Sequence, residues 1–317
     1  MTGTRHLVDP ELLDLLELWP AVTLDESLLP LVRAPGRIPL GEVENPERVD
    51  KRALTAPGRD GAPDVPMLLY RPAGSAGTVL PCIYHIHGGG YVGGAAVTLE
   101  PVHRHMVEIL GCALVSVDYR LAPETPFPGP LEDCYAGLAW LHAHAAELEI
   151  DPARIGIRGE SAGGGLAAAL ALLVRDRGDF TIAFQQLIYP MLDDRTCTAE
   201  PNPHAGEFIW NSGSNRFGWR SYLGTEPGGE GIPPYAAAAR AEDLAGLPPA
   251  FLSSGTLDLF IDEDLAYAAR LIRAGVPTEL HVYPGGFHGF NVHKTAGVSV
   301  RSNRDADDWL KRHLKGG

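Results

Sequence analysis

Ser161 sits in the run Gly159-Glu160-Ser161-Ala162-Gly163, between a short alternating stretch around Ile155 and Ile157 and an Ala/Leu-rich segment. A serine hydroxyl is a weak nucleophile, and it needs exposure and an adjacent base to do chemistry. A tight strand-to-helix turn lifts such a side chain above the edge of a sheet. The same turn presses the strand and helix backbones together, so the positions two before and two after the serine must be small. Gly159 and Gly163 fill both places. A dinucleotide-binding turn needs Gly-x-Gly-x-x-Gly, and a phosphate-binding loop needs Gly-Lys-Ser/Thr; this run has neither spacing. The pattern is that of a nucleophile elbow.

A nucleophilic serine calls for a base, an acid that orients the base, and N–H groups aimed at the developing oxyanion. His87-Gly88-Gly89-Gly90-Tyr91 closes an apolar run upstream of the elbow, and its bare glycines let a loop present amides without obstruction. The N–H of Ala162, at the positive end of the helix that starts there, supplies the other half of the oxyanion site. Asp258 ends the apolar run at 250–257, and His288 lies in the loop PGGFHGF that follows the run at 278–283. Strand ends of a parallel sheet meet at one edge, so Asp258 and His288 can converge on Ser161 from far away in sequence. The chain order Ser, Asp, His agrees with that arrangement.

Other candidates read more plainly. Asp262 and Glu263 compete for the acid role, but they stand where a helix begins and suit capping better. His85 and His87 alternate along one strand face, yet no third ligand or His-Glu-x-x-His spacing joins them, so neither metal nor organic cofactor is expected. His142 and His144 are read as surface residues of a helix.

The elements that must position these groups follow a clear rhythm. Apolar runs at 64–70, 79–87, 112–119, 154–158, 182–189, 250–257 and 278–283 read as strands. Helical stretches occupy 100–110, 129–149, 161–176 and 262–274, and the final segment places Ala306, Trp309, Leu310 and Leu314 on one face. Alternation of this kind predicts an α/β fold with a mostly parallel sheet flanked by helices. Residues 193–240 break the rhythm with Pro, Gly, Asn and aromatic residues, and the stretch is too long for a simple loop. The reading is a helical cap made of 1–45 and 193–240, over a catalytic domain made of 46–192 and 241–317.

Composition narrows the class further. The chain has 317 residues, 45% of them apolar, which is ample for a large core. A net charge of −14 with no Lys/Arg run argues against nucleic acid as a partner. Four scattered cysteines without a Cys-x-x-Cys pair fit reduced, buried thiols and a cytoplasmic setting. Acidic residues interrupt the N-terminal leucines, unlike a signal-peptide core, and the apolar run at 166–174 is too short to span a bilayer. The edge of the last strand is where a homodimer would pair.

Taken in order, HGGGY (87–91), DYRLAPE (118–124), GESAGG (159–164), the D-x-x-x-DE run at 258–263 and GFHGF (286–290) closely resemble the hormone-sensitive-lipase-like family of bacterial carboxylesterases. The resemblance implies an α/β-hydrolase fold with an eight-stranded sheet and a cap, acting on small short-acyl esters. It also implies Gly89, Gly90 and Ala162 as the oxyanion amides, with Gly88 able to substitute in a slightly different loop geometry. Two departures stand out: many members carry Asp where Glu160 stands, and Pro where Leu259 follows the acid. In DYRLAPE no catalytic side chain is expected, and Asp118 is expected to pair with Arg120. Three other readings remain at this stage: an amidase or peptidase, a lactonase, or a non-catalytic binder of small ligands on the same scaffold.

Overall fold

The computed structural model describes residues 3–34, 36 and 38–315. Eight strands build one sheet: β1 (Val49–Ala56), β2 (Val65–Pro72), β3 (Leu80–Ile86), β4 (Ala113–Val117), β5 (Ile150–Glu160), β6 (Gln185–Ile188), β7 (Ala250–Gly255) and β8 (Thr278–Tyr283). Their order across the sheet is β1-β2-β4-β3-β5-β6-β7-β8. Pairings from β4 through β8 are parallel, whereas β1 with β2 and β2 with β4 run antiparallel. The seven apolar runs all become strands. β1 was not expected, because it is an edge strand with only Val49 and Ala56 buried, and its sequence VDKRALTA carries no apolar run.

The helices are α1 (Leu13–Leu18), α2 (Leu29–Val32), α3 (Glu100–Leu110), α4 (Gly129–Ala143), α5 (Ala162–Arg177), α6 (Ser212–Leu223), α7 (Ile261–Arg273) and α8 (Gly297–Leu314). Every residue of β3 is buried, so its alternating side chains feed two cores. Cys82, Tyr84 and Ile86 pack with the α4, α5 and α7 side, among them Leu138, Leu170 and Leu271. Ile83 faces the other core, with Met106 and Val107 of α3 and Trp309, Leu310 and Leu314 of α8. Burying each such side chain contributes roughly 1.5–3 kcal/mol. Two filled faces hold the strand ends in fixed relation.

Between β6 and β7 the chain makes its long excursion, with α6 as the main helix. Asn211 caps α6 by accepting from Ser214 N at 2.9 Å, and Gly224 ends it in the left-handed region. The N-terminal residues lie against this excursion. Ser214 Oγ donates to the Val22 carbonyl at 2.8 Å and accepts from Leu24 N at 3.0 Å. Glu207 accepts from both Thr4 N (2.5 Å) and Thr4 Oγ1 (2.6 Å). Cys82, Cys112 and Cys134 are buried free thiols and Cys197 is half-buried. Among the described residues no helix is long and apolar enough to cross a membrane.

Candidate active site

β5 delivers Ser161 on a strained turn, with φ 57° and ψ −122° immediately before α5. The two glycines of the elbow are there for space. A Cβ on Gly159 would stand 2.2 Å from the Gly163 carbonyl oxygen, and one on Gly163 would stand 2.1 Å from that of Ile86. Both contacts are backbone to backbone, so neither can be relieved by a side-chain rotation. Ser161 N donates to the Ile188 carbonyl at 2.9 Å, and Met191 N donates to the Ser161 carbonyl at 2.9 Å, which ties the turn to the end of β6.

The three sequence-predicted groups meet at this edge. His288 Nε2 accepts from Ser161 Oγ at 2.9 Å, and His288 Nδ1 donates to Asp258 Oδ2 at 2.9 Å. Asp258 is fully buried, and its other oxygen accepts from Phe260 N at 3.0 Å. The rings of Tyr189 and Phe260 stand edge-on to the imidazole, with centroids at 4.8 and 5.3 Å. The base therefore has one orientation available.

Gly88, Gly89 and Gly90 form the loop facing Ser161. A Cβ on Gly88 would lie 3.4 Å from Ser161 Cβ, while Gly89 (φ 129°) and Gly90 (φ 62°) adopt backbone that L-residues avoid. Among the described residues the N–H groups of Gly89 and Gly90 have no protein acceptor. Ala162 N is the first amide of α5, so it too has no partner within its helix. His87 braces this loop: its ring stacks on Tyr119 at 4.3 Å, and Tyr119 Oη donates to the His87 carbonyl at 2.8 Å. Burial lowers the His87 pKa to about 4, so the ring stays neutral.

Several expectations need correction. Asp118 does not pair with Arg120. Arg120 instead forks onto Asp133 of α4 at 2.8 and 2.7 Å, and Asp118 accepts from Ala96 N at 3.0 Å. Neither Asp262 nor Glu263 caps α7. Glu263 is buried and accepts from Leu192 N (2.6 Å), Asp193 N (3.2 Å) and Thr196 Oγ1, so it anchors the start of the long excursion. Burial, aided by Asp193, still pushes its carboxyl well above the ordinary range. His142 and His144 are half-buried rather than surface groups, stacked on Phe180 and Trp140.

A buried network behind Ser161 was not anticipated. His85 Nε2 donates to Glu160 Oε2 at 2.7 Å, and His85 Nδ1 accepts from Ser116 Oγ (3.2 Å) and His103 Nε2 (3.1 Å). Arg158 Nε donates to Glu160 Oε1 at 2.9 Å. Burial alone would raise the Glu160 pKa, but the hydrogen bond from His85 and the charge of Arg158 outweigh it and hold the carboxyl well below its usual range. The signal was present in the sequence: Arg158 and Glu160 are charged residues in the buried last part of β5, and buried charges need partners. Among the described residues no cluster of three or more His, Cys, Asp or Glu side chains is arranged to hold a metal ion.

The pocket over Ser161 has a volume of about 150 Å³. Its apolar walls include Trp19, Leu24 and Val32 from the N-terminal segment and Ile209 and Trp210 from the excursion. Trp210 presses so closely on the glycine loop that a Cβ on Gly90 would stand 2.2 Å from its ring.

A mostly parallel sheet carrying a serine on a glycine-flanked elbow, with His and Asp from later strand ends, defines an α/β hydrolase. A family model described as alpha/beta hydrolase fold matches residues 83–292, and the chain belongs to that family in its hormone-sensitive-lipase-like branch. The carboxylesterase NlhH of Mycobacterium tuberculosis is 34% identical over 298 residues, covering 91% of this chain and 90% of that protein. Among solved structures, a bacterial heroin esterase superposes with a TM-score of 0.91 at 42% identity, covering 98% of this chain and 99% of the other. The esterase LipW of Mycobacterium marinum superposes with a TM-score of 0.82 at 30% identity, covering 98% and 96%.

Proposed function

We propose that this protein is a serine carboxylesterase that hydrolyses small short-acyl esters. The observation that carries the reading is the unbroken chain of hydrogen bonds from Ser161 through His288 to Asp258, both at 2.9 Å. His288 takes the proton from Ser161 as the oxygen attacks the ester carbonyl. Asp258 holds the imidazole in the tautomer that accepts at Nε2 and stabilises the imidazolium once formed. The amides of Gly89, Gly90 and Ala162 receive the tetrahedral oxyanion. His288 then protonates the departing alcohol, and water repeats the cycle on the acyl-enzyme.

The short-acyl preference is supported by pocket size. A volume of about 150 Å³ is below the roughly 300–1,000 Å³ of pockets that enclose drug-sized ligands. Residues 1–45 and 193–240 act as the cap that closes this pocket, since both segments contribute walls and bond to each other. Substrates are small molecules in this scheme, and no cofactor takes part.

The test is hydrolysis of p-nitrophenyl acetate, butyrate and decanoate by the wild type and Ser161→Ala. The expected results are a rate that falls with chain length and a loss of about a thousandfold or more in the variant. A wild type inert on every ester, with its fold intact, overturns the reading.

A further inference from the structure

A second cavity of about 400 Å³ lies next to the pocket over Ser161. The segment 40–45, α3, α8, the end of β5 and the loop after β8 line it, through Arg158, Asn291, Asn303, Asp307 and the exposed His105 among others. Leu99, Glu160, Tyr189 and Val292 line both cavities. Tyr189 forms part of this shared wall, and its hydroxyl donates to Asn291 Oδ1 at 2.7 Å while its ring faces His288.

The two cavities differ in chemistry. Trp19, Leu24, Val32, Ile38, Ile209 and Trp210 make the first apolar. In the second, polar groups are left without protein partners. Arg158 is only 6% exposed, and it spends Nε on Glu160 and Nη1 on Gln186. Among the described residues its Nη2 has no acceptor, and neither His105 nor the half-buried Asp307 has a hydrogen bond or ion pair. An anion placed here meets Glu42, Glu44, Glu108, Glu160 and Asp307; a cation meets Arg104, Arg158 and Lys294. A neutral hydroxyl both donates and accepts, so it can satisfy Arg158 and Asp307 together.

The mechanism says which part of an ester would come here. The leaving oxygen takes its proton from His288 Nε2, so the alcohol departs on the His288 side, where Tyr189 and Val292 border the second cavity. We propose that this polar cavity receives the alcohol portion of the substrate, and that the preferred substrates are short-acyl esters of polyhydroxylated alcohols such as monosaccharides. Hydrolysis then releases the short carboxylate and the free polyol, with water supplying the hydroxyl. The proposal rests on the carboxylesterase reading and adds the alcohol to it.

The test compares 6-O-acetylglucose with n-hexyl acetate, which share the acyl group and have six carbons in the alcohol but differ in hydroxyls. Acetate release gives kcat/KM for each, and their ratio cancels any loss of folded enzyme. The wild type should prefer 6-O-acetylglucose. In Asp307→Leu and His105→Trp the ratio should fall about tenfold, as expected when a hydrogen-bonding site is removed or filled. Arg301→Ala, near the start of α8 and outside the cavity, serves as the control and should keep the wild-type ratio. Preference of the wild type for n-hexyl acetate, or ratios within about twofold of wild type in both cavity variants, overturns the proposal. A wild type inert on both esters and on p-nitrophenyl acetate overturns the carboxylesterase reading instead.

Discussion

The elbow around Ser161 and the wall above it are built on different principles. At the elbow, backbone meets backbone, Gly159 against Gly163 and Gly163 against Ile86; the same holds near Asp258 and His288, where a Cβ on Gly255 would stand 2.2 Å from the Gly286 carbonyl oxygen. The wall is held by side chains, with Ser214 gripping Val22 and Leu24, Glu207 gripping Thr4, and Trp210 laid over Gly90. Backbone contacts admit one residue type, whereas side-chain contacts admit several. In the proposed scheme the first region sets the chemistry, and the second shapes the apolar pocket over Ser161.

This contrast is breakable. Gly159→Ala forces a methyl into the Gly163 carbonyl. It should cost about 3 kcal/mol of stability and most of the activity, read by chemical denaturation beside ester hydrolysis. If the variant is as stable as wild type, the elbow is not limited by backbone space. Ser214→Ala removes the acceptor of Leu24 N and the donor to the Val22 carbonyl. That should cost about 1–3 kcal/mol, with faster hydrogen exchange confined to the N-terminal segment and α6. Exchange that rises equally around Ser161 would join the two regions that the contrast separates.

A smaller, pH-dependent effect lies beneath the Asp258 turn. Asp264 is fully buried with neither oxygen partnered among the described residues. Burial first, then Glu263 and Asp258, push its carboxyl well above the ordinary 3.8. The folded state thus holds this proton more tightly than the unfolded chain. The associated stability is complete below the unfolded value and is lost as pH rises toward the folded one. Asp264→Asn removes that loss, so its gain in Tm should be larger at about pH 8 than at about pH 5. Equal shifts at both values would mean that Asp264 is not held protonated.

What was legible in the sequence follows the same division. Ser161, Asp258 and His288 were readable because each sits at a strand end marked by glycines, and glycine is a direct imprint of backbone crowding. The other seven strands were readable from apolar runs. β1 was not, because an exposed edge strand needs no apolar face. Arg120, Glu263 and His85 were misread or left unassigned, since their partners Asp133, Leu192 and Glu160 come from other elements, and local spacing says nothing about them. The two cavities are further still from sequence, being defined by the meeting of four or more segments.

The central claim is that Ser161, activated by His288, forms a covalent acyl-enzyme. Its most direct test is treatment of the protein with a p-nitrophenyl phosphonate, followed by intact-mass and peptide mass spectrometry. The account predicts one phosphonyl group per chain, on Ser161, with ester hydrolysis lost in proportion to labelling and no labelling of Ser161→Ala. Labelling at another residue, or hydrolysis that survives full modification of Ser161, would contradict it.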